Sequence, residues 1–173
     1  MQTNARYSGL SVLNHWIAAI GVFVMLTLGL AAGEADSDAV EHYIMGVHIA
    51  LGFFVLLFVL WRIAWRLYEG FHVDPRSDAL TRYLGGATHR ALLVAMAFIV
   101  VTGPLYLFTE GEGMDVFGWF TFYLPLEGLA FLHEPAEAVH KTMAGQILPV
   151  LLALHVAGGI RHYLTRPRAL GER

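Results

Sequence analysis

Long apolar stretches and short polar ones alternate along the whole chain. Four windows contain no Asp, Glu, Lys or Arg: Tyr7–Gly33 (27 residues), His42–Trp61 (20), Ala91–Thr109 (19) and Thr142–Ile160 (19). At about 1.5 Å rise per residue, some 20 apolar residues cross roughly 30 Å of hydrocarbon. Each window is therefore long enough for one transmembrane helix. Spans are expected at about 11–32, 42–66, 88–109 and 139–163, and the expected fold class is all-α, a four-helix transmembrane bundle forming a single domain over residues 1–173.

The details of the pattern refine this picture. Ala-Ala-Gly-Glu-Ala at 31–35 resembles a signal-peptide cleavage site, but the preceding apolar stretch is longer than a signal requires, so an uncleaved first span is expected. Trp16, Trp61, Trp65 and Tyr68 stand near span ends, where amphipathic rings anchor at the headgroup level. Glu69–Ala87, with Pro75 and Gly85-Gly86, reads as an inner linker whose basic residues suit anionic headgroups. Gly103-Pro104 should bend the outer end of the third span. The longest loop is about Glu110–Ala138. Its apolar middle, VFGWFTFYLPL at 116–126, is too short to span and is expected to lie on the membrane or to cover the outer mouth of the bundle.

Composition agrees with a membrane protein. The chain is 57% hydrophobic and 14% charged, against about 25% charged in soluble domains; its mean hydropathy is +0.57. Cysteine is absent, which excludes disulfides, thiolate metal sites, iron–sulfur clusters and covalently attached c-type haem built from this chain alone. No repeat, nucleotide-binding glycine pattern or nucleic-acid signature is present. Ten of the eleven Lys and Arg residues fall on one side of the expected spans, leaving Lys141 on the other with ten carboxylates, among them Glu41, Glu110, Glu134 and Glu137. The positive-inside rule then puts both termini in the cytoplasm. The expected location is the bacterial inner membrane, multi-pass.

Nine histidines are many for a chain this small and apolar, and ionisable residues inside spans are costly and usually functional. His15 lies nine residues past Arg6 and His155 six before Arg161, both in the inner half; His48 lies seven past Glu41 and His140 beside Lys141, both in the outer half. Depth sorts them into two pairs from different helices, His15 with His155 and His48 with His140. The last span carries one member of each, fifteen positions apart, so about 22 Å along the axis and about 60° around it. Neutral imidazole is an axial ligand for haem iron, and two such pairs would hold two b-type haems across the bilayer. Gly52, Gly145 and Gly158 fit close approach of a porphyrin face or plain helix packing. His89, which opens the third span, competes with His15 for the inner site. His42, His72, His89, His133 and His162 lie at or outside the interface.

RYSGLSVLNHW at 6–16, VHIALG at 47–52, THRALL at 88–93, VTG at 101–103, WF at 119–120 and the His140…His155 helix ending in RHY at 161–163 together resemble the bacterial cytochrome b561 family, related to the cytochrome b subunits of nickel–iron hydrogenases and formate dehydrogenases. The likeness covers nearly the whole chain. It implies a haem b protein exchanging electrons with ubiquinone or another quinone, with His15, His48, His140 and His155 as the axial ligands of two haems. Some relatives oxidise superoxide and reduce quinone; others anchor a periplasmic redox enzyme. Pro149, between the two histidines of span four, departs from the pattern and should kink that helix or widen a turn.

The leading expectation is therefore a diheme quinone-linked oxidoreductase. Superoxide as donor conflicts with the acidic outer face, since an anion is steered by positive potential, unless Lys141, His133 and His140 form a local patch. The alternative is a non-enzymatic electron-transfer anchor for a periplasmic redox partner. A metal-transporting role is disfavoured by the pairing of histidines by depth. Arg76 and Arg82 suit the positive-inside rule better than quinone contacts.

Overall fold

The computed structural model describes residues 8–71 and 79–165. Expectations resting on Arg6, His72, Pro75, Arg76, Arg166, Arg168 and Arg173 lie outside the described residues. Four helical segments are long and apolar enough to cross a membrane: α1 (Gly9–Gly33), α2 (Asp38–Glu69), α3 (Ala79–Thr109) and a composite fourth over Glu127–Leu164. The all-α transmembrane bundle is thus the architecture, and the protein is a multi-pass membrane protein.

α2, with 32 residues, and α3, with 31, are longer than their charge-free windows, because the window marks hydrocarbon while the helix continues into the headgroup layer; α1, with 25, lies within its own. The Ser8 side chain caps α1 by accepting from Ser11 N. Asp38 and Glu41 occupy the first turn of α2, where the helix dipole favours carboxylates. Gly70, at φ 75°, stops α2 in the left-handed conformation that favours glycine. At the start of α3 the expected linker is corrected: the helix begins at Ala79 and runs through Gly85-Gly86 to Thr109. Each glycine costs about 1 kcal/mol against Ala in a helix, which is too little to break a helix already driven by the apolar run that follows.

The fourth segment is a 3-10 turn over Glu127–Leu132, α4 (His133–Thr142), a π-helical turn over Met143–Ile147, and α5 (Leu148–Thr165). Pro149 explains the wide turn. It has no N–H to offer the Gly145 carbonyl, and Leu148 N bonds back to Met143 O, five residues away. The helix widens a turn at the expected place.

Between α3 and α4 the chain forms an antiparallel hairpin, β1 (Met114–Val116) with β2 (Phe120–Phe122), pairing Met114 with Phe122 and Val116 with Phe120. Sequence reading of this loop had no strand in it. Phe117 and Gly118 both take positive φ in the tight turn, and Gly118 N donates to Asp115 Oδ2 at 2.9 Å. The hairpin lies on α2: the Phe53 ring meets Phe120 at 5.4 Å and Phe122 at 5.6 Å. Met114 is buried with Leu107 and Phe108 of α3 against Ile49 and Phe53 of α2. Elsewhere large apolar side chains such as Trp16, Phe23 and Val94 face outward, as expected where the solvent is lipid.

Candidate functional site

His48 on α2 and His140 on α4 come together at the outer level, with ring centres 6.5 Å apart and planes at 86°. Two features of α3 place His140. Its Nδ1 donates to Ile99 O at 3.0 Å, which fixes the tautomer and leaves the Nε2 lone pair free for a metal. Beside it, a Cβ at Gly103 would stand 2.8 Å from His140 Cε1, so only glycine lets the ring lie against α3. On the opposite wall a Cβ at Gly29 would stand 3.4 Å from His48 Cε1. His48 Nδ1 is buried without a hydrogen bond of good geometry. Tyr106 lies between His140 and the more peripheral His133 in tilted and edge-on contacts, with ring centres 5.8 Å and 5.9 Å away.

These histidines border a cavity of about 460 Å³ lined by all four transmembrane segments and by Met114 of the hairpin, within the usual range for small-molecule and cofactor pockets. Met25, Gly52, Met96 and Leu148 line its depth; Glu41, Tyr106 and Lys141 stand around its polar end. The residues fit a flat apolar cofactor with an axial imidazole on each side. Two imidazoles on opposite sides of one metal, each nitrogen about 2 Å from it, place their ring centres roughly 6 Å apart.

At the inner level His15 on α1 and His155 on α5 lie 6.1 Å apart at 71°, also near that spacing. His89 on α3 joins them, 5.1 Å from His155, closer than two opposed ligands would sit. The two imidazoles expected in the inner half, His15 and His155, and the challenger His89 are thus gathered in one cluster. Among the described residues, no group of three or more His, Asp or Glu side chains is arranged to hold a bare metal ion.

Three elements of the site escaped sequence reading. Gly103 makes the close approach and Gly29 lies in ordinary contact with His48, whereas a Cβ at Gly145 or Gly158 meets nothing within 4 Å and one at Gly52 meets the Met25 and Met114 side chains. The VTG motif contained Gly103, but nothing in the sequence paired it with His140. Arg62, counted only as an inner basic residue, reaches His15 Nδ1 with Nη2 at 3.4 Å. On the outer face Lys141 is bound to Glu137 at 2.7 Å, so the local positive patch is largely neutralised.

A family model for prokaryotic cytochrome b561 matches residues 6–171. Cytochrome b561 homolog 2 of Escherichia coli (strain K12) is 28% identical over 177 residues, an alignment covering 98% of this chain and 94% of that protein.

Proposed function

The chain belongs to the prokaryotic cytochrome b561 family, membrane cytochromes that bind haem b and transfer electrons, and on that premise we propose that it holds two haem b groups and moves electrons between the inner-membrane faces to or from the quinone pool. His48 and His140 would hold the outer haem, and His15 and His155 the inner one. Haem b, when bound, supplies a one-electron Fe(III)/Fe(II) couple whose potential depends on axial ligands, burial and nearby charge. The carrying observation is the two imidazole pairs, one at each level, both near the separation that opposed ligands need.

The surrounding residues have separable tasks. Gly103 lets the His140 ring lie close to the α3 backbone, and Ile99 O orients that ring. Met25, Met96 and Met114 wall the cavity with soft apolar groups that keep water from it. His89 stands beside His155 as a neighbour; the 5.1 Å spacing favours His15 as the opposing ligand.

A second reading concerns the electron donor. The paired state of Lys141 and the ten outer carboxylates suit a basic periplasmic redox protein better than superoxide, so the role of electron-transfer anchor competes with that of a superoxide:quinone oxidoreductase. The test of the main reading is a reduced-minus-oxidised visible spectrum with haem counted per chain, for wild type and for His15→Ala, His48→Ala, His140→Ala and His155→Ala. Two b haems falling to about one in each variant are expected. A wild-type protein without haem refutes the reading, and loss in His89→Ala but not in His15→Ala reassigns the inner ligand.

A further inference from the structure

The cavity that borders His48 and His140 is long and has one polar end. Along α2 its lining runs from Glu41 to Val59, about 27 Å at roughly 1.5 Å per residue. The inner end is walled by Val22, Val55, Leu56 and Val59. Apart from the two histidines, the polar side chains among the lining residues all stand at the outer end: Glu41, Tyr106 and Lys141. Tyr106 lies among the charges of Lys141, Glu137, Glu110 and Glu112, which marks that end as the one facing the outer surface.

Haem b is as asymmetric as this cavity. Its macrocycle carries two propionate carboxylates on one edge and apolar vinyl and methyl groups on the other, and a carboxylate held in apolar surroundings without a cation or a hydrogen-bond donor is costly. The inner end offers neither. The outer end offers both, the Tyr106 hydroxyl as a donor and Lys141 as the one cation among the lining residues. Lys141 directly follows His140 in the chain, so its flexible four-carbon stem starts beside the imidazole. Its ammonium meets Glu137 Oε1 at 2.7 Å, one helical turn away, in a pair whose side chains are 70% and 36% exposed. Pairs so exposed contribute little, so a carboxylate at the cavity rim can take the place of Glu137. Glu41 lies near the same ammonium from the α2 side, a further carboxylate that the lysine offsets.

We infer that Lys141 pairs with a propionate of the outer haem, assisted by the Tyr106 hydroxyl, and so fixes which edge of the cofactor faces the outer surface. This rests on the reading of His48 and His140 as the axial ligands of that haem.

The test is a titration of haem-depleted protein with haem b and with its dimethyl ester, in which both carboxylates are capped, for wild type, Lys141→Gln, Glu137→Gln and His140→Ala. The site lost in His140→Ala is the outer one; full haem uptake by His140→Ala fails the parent reading and takes this inference with it. With the outer site so assigned, Lys141→Gln should weaken its affinity for haem b by roughly three- to tenfold, the range of a charge-assisted contact at a partly exposed edge, and leave the ester unchanged. Glu137→Gln frees the ammonium from its competitor and should tighten haem b, again without effect on the ester. A lysine that served only to hold α4 in place would affect both ligands alike. Equal weakening of both ligands or unchanged haem b affinity in Lys141→Gln, or selective weakening of haem b in Glu137→Gln, overturns the inference. If Lys141→Gln yields no folded protein, Glu137→Gln decides: a wider preference for haem b over the ester supports the inference, and an unchanged or narrower one overturns it.

Discussion

Replacing Gly103 with alanine adds one methyl group to α3 at the point where His140 lies against it. The new Cβ would stand 2.8 Å from His140 Cε1 and 3.0 Å from its Nδ1, whereas non-bonded carbons are at ease near 3.5–4.0 Å. The ring must retreat by about 0.7 Å. It is not free to do so, because the same Nδ1 is bonded to Ile99 O at 3.0 Å, on the same helix four residues before Gly103. Moving away from α3 stretches that bond past hydrogen-bonding range, at about 0.5–1.5 kcal/mol, and tight overpacking adds about 1–3 kcal/mol. Loss of a partner that orients a metal-bound histidine commonly weakens metal binding about 10–100-fold. The expected outcome is therefore selective weakening of the outer haem: titration of haem into depleted protein should show one site unchanged and one weaker by one to two orders of magnitude, on the order of 10–100-fold. Gly46→Ala is the control, since a Cβ there meets nothing within 4 Å. Two haems of unaltered affinity and resonance signal in Gly103→Ala would refute the argument that glycine is required for the placement of His140.

His89→Ala should keep both haems with unchanged spectra, because its 5.1 Å approach to His155 is that of a neighbour; a haem count of one would assign it as ligand. Pro149→Ala restores an N–H toward the Gly145 carbonyl and should let the wide turn at 143–147 close to an α-helical one, rotating His140 relative to His155 and lowering haem occupancy to fewer than two per chain; full occupancy would show the turn to be incidental. Met114→Ala removes a buried side chain from between the hairpin and α2–α3 and should cost about 2–5 kcal/mol, seen as a lower Tm of the detergent-solubilised protein. Reduction by a basic soluble redox protein should slow steeply between 10 mM and 200 mM salt, over which the screening length shrinks from about 30 Å to below about 10 Å, while Lys141→Ala, which leaves Glu137 without its counter-charge, should slow any superoxide-driven reduction at low salt.

The spans, their number and their alternation were legible in the chain because lipid imposes them: a bilayer admits no unpaired backbone, so some 20 uncharged residues can only be a helix there. Depth was legible for the same reason. His15, His48, His140 and His155 could be ranked by distance from the nearest charged residue, and the structure brings the two same-depth pairs to 6.1 Å and 6.5 Å. The effect of Pro149 was legible too, since a missing N–H has a local consequence.

Rotation about the helix axis and contacts across helices were not legible, and they carry the rest of the site. Which face α1 turns toward α2 depends on the Ser11, Asn14 and Arg62 contacts between groups 44 to 51 residues apart. Gly103 is one glycine among eighteen until α4 lays an imidazole on it. The hairpin at 114–122 lies in a stretch that reads as an apolar cover over the bundle mouth, and its seat is set by burial of Met114 against α2 and α3. The sequence by itself determined how many helices cross the membrane and at what height their histidines lie, because hydrocarbon acts on every residue alike. Only the tertiary structure decided which side chains meet, because that depends on packing between segments distant in the chain.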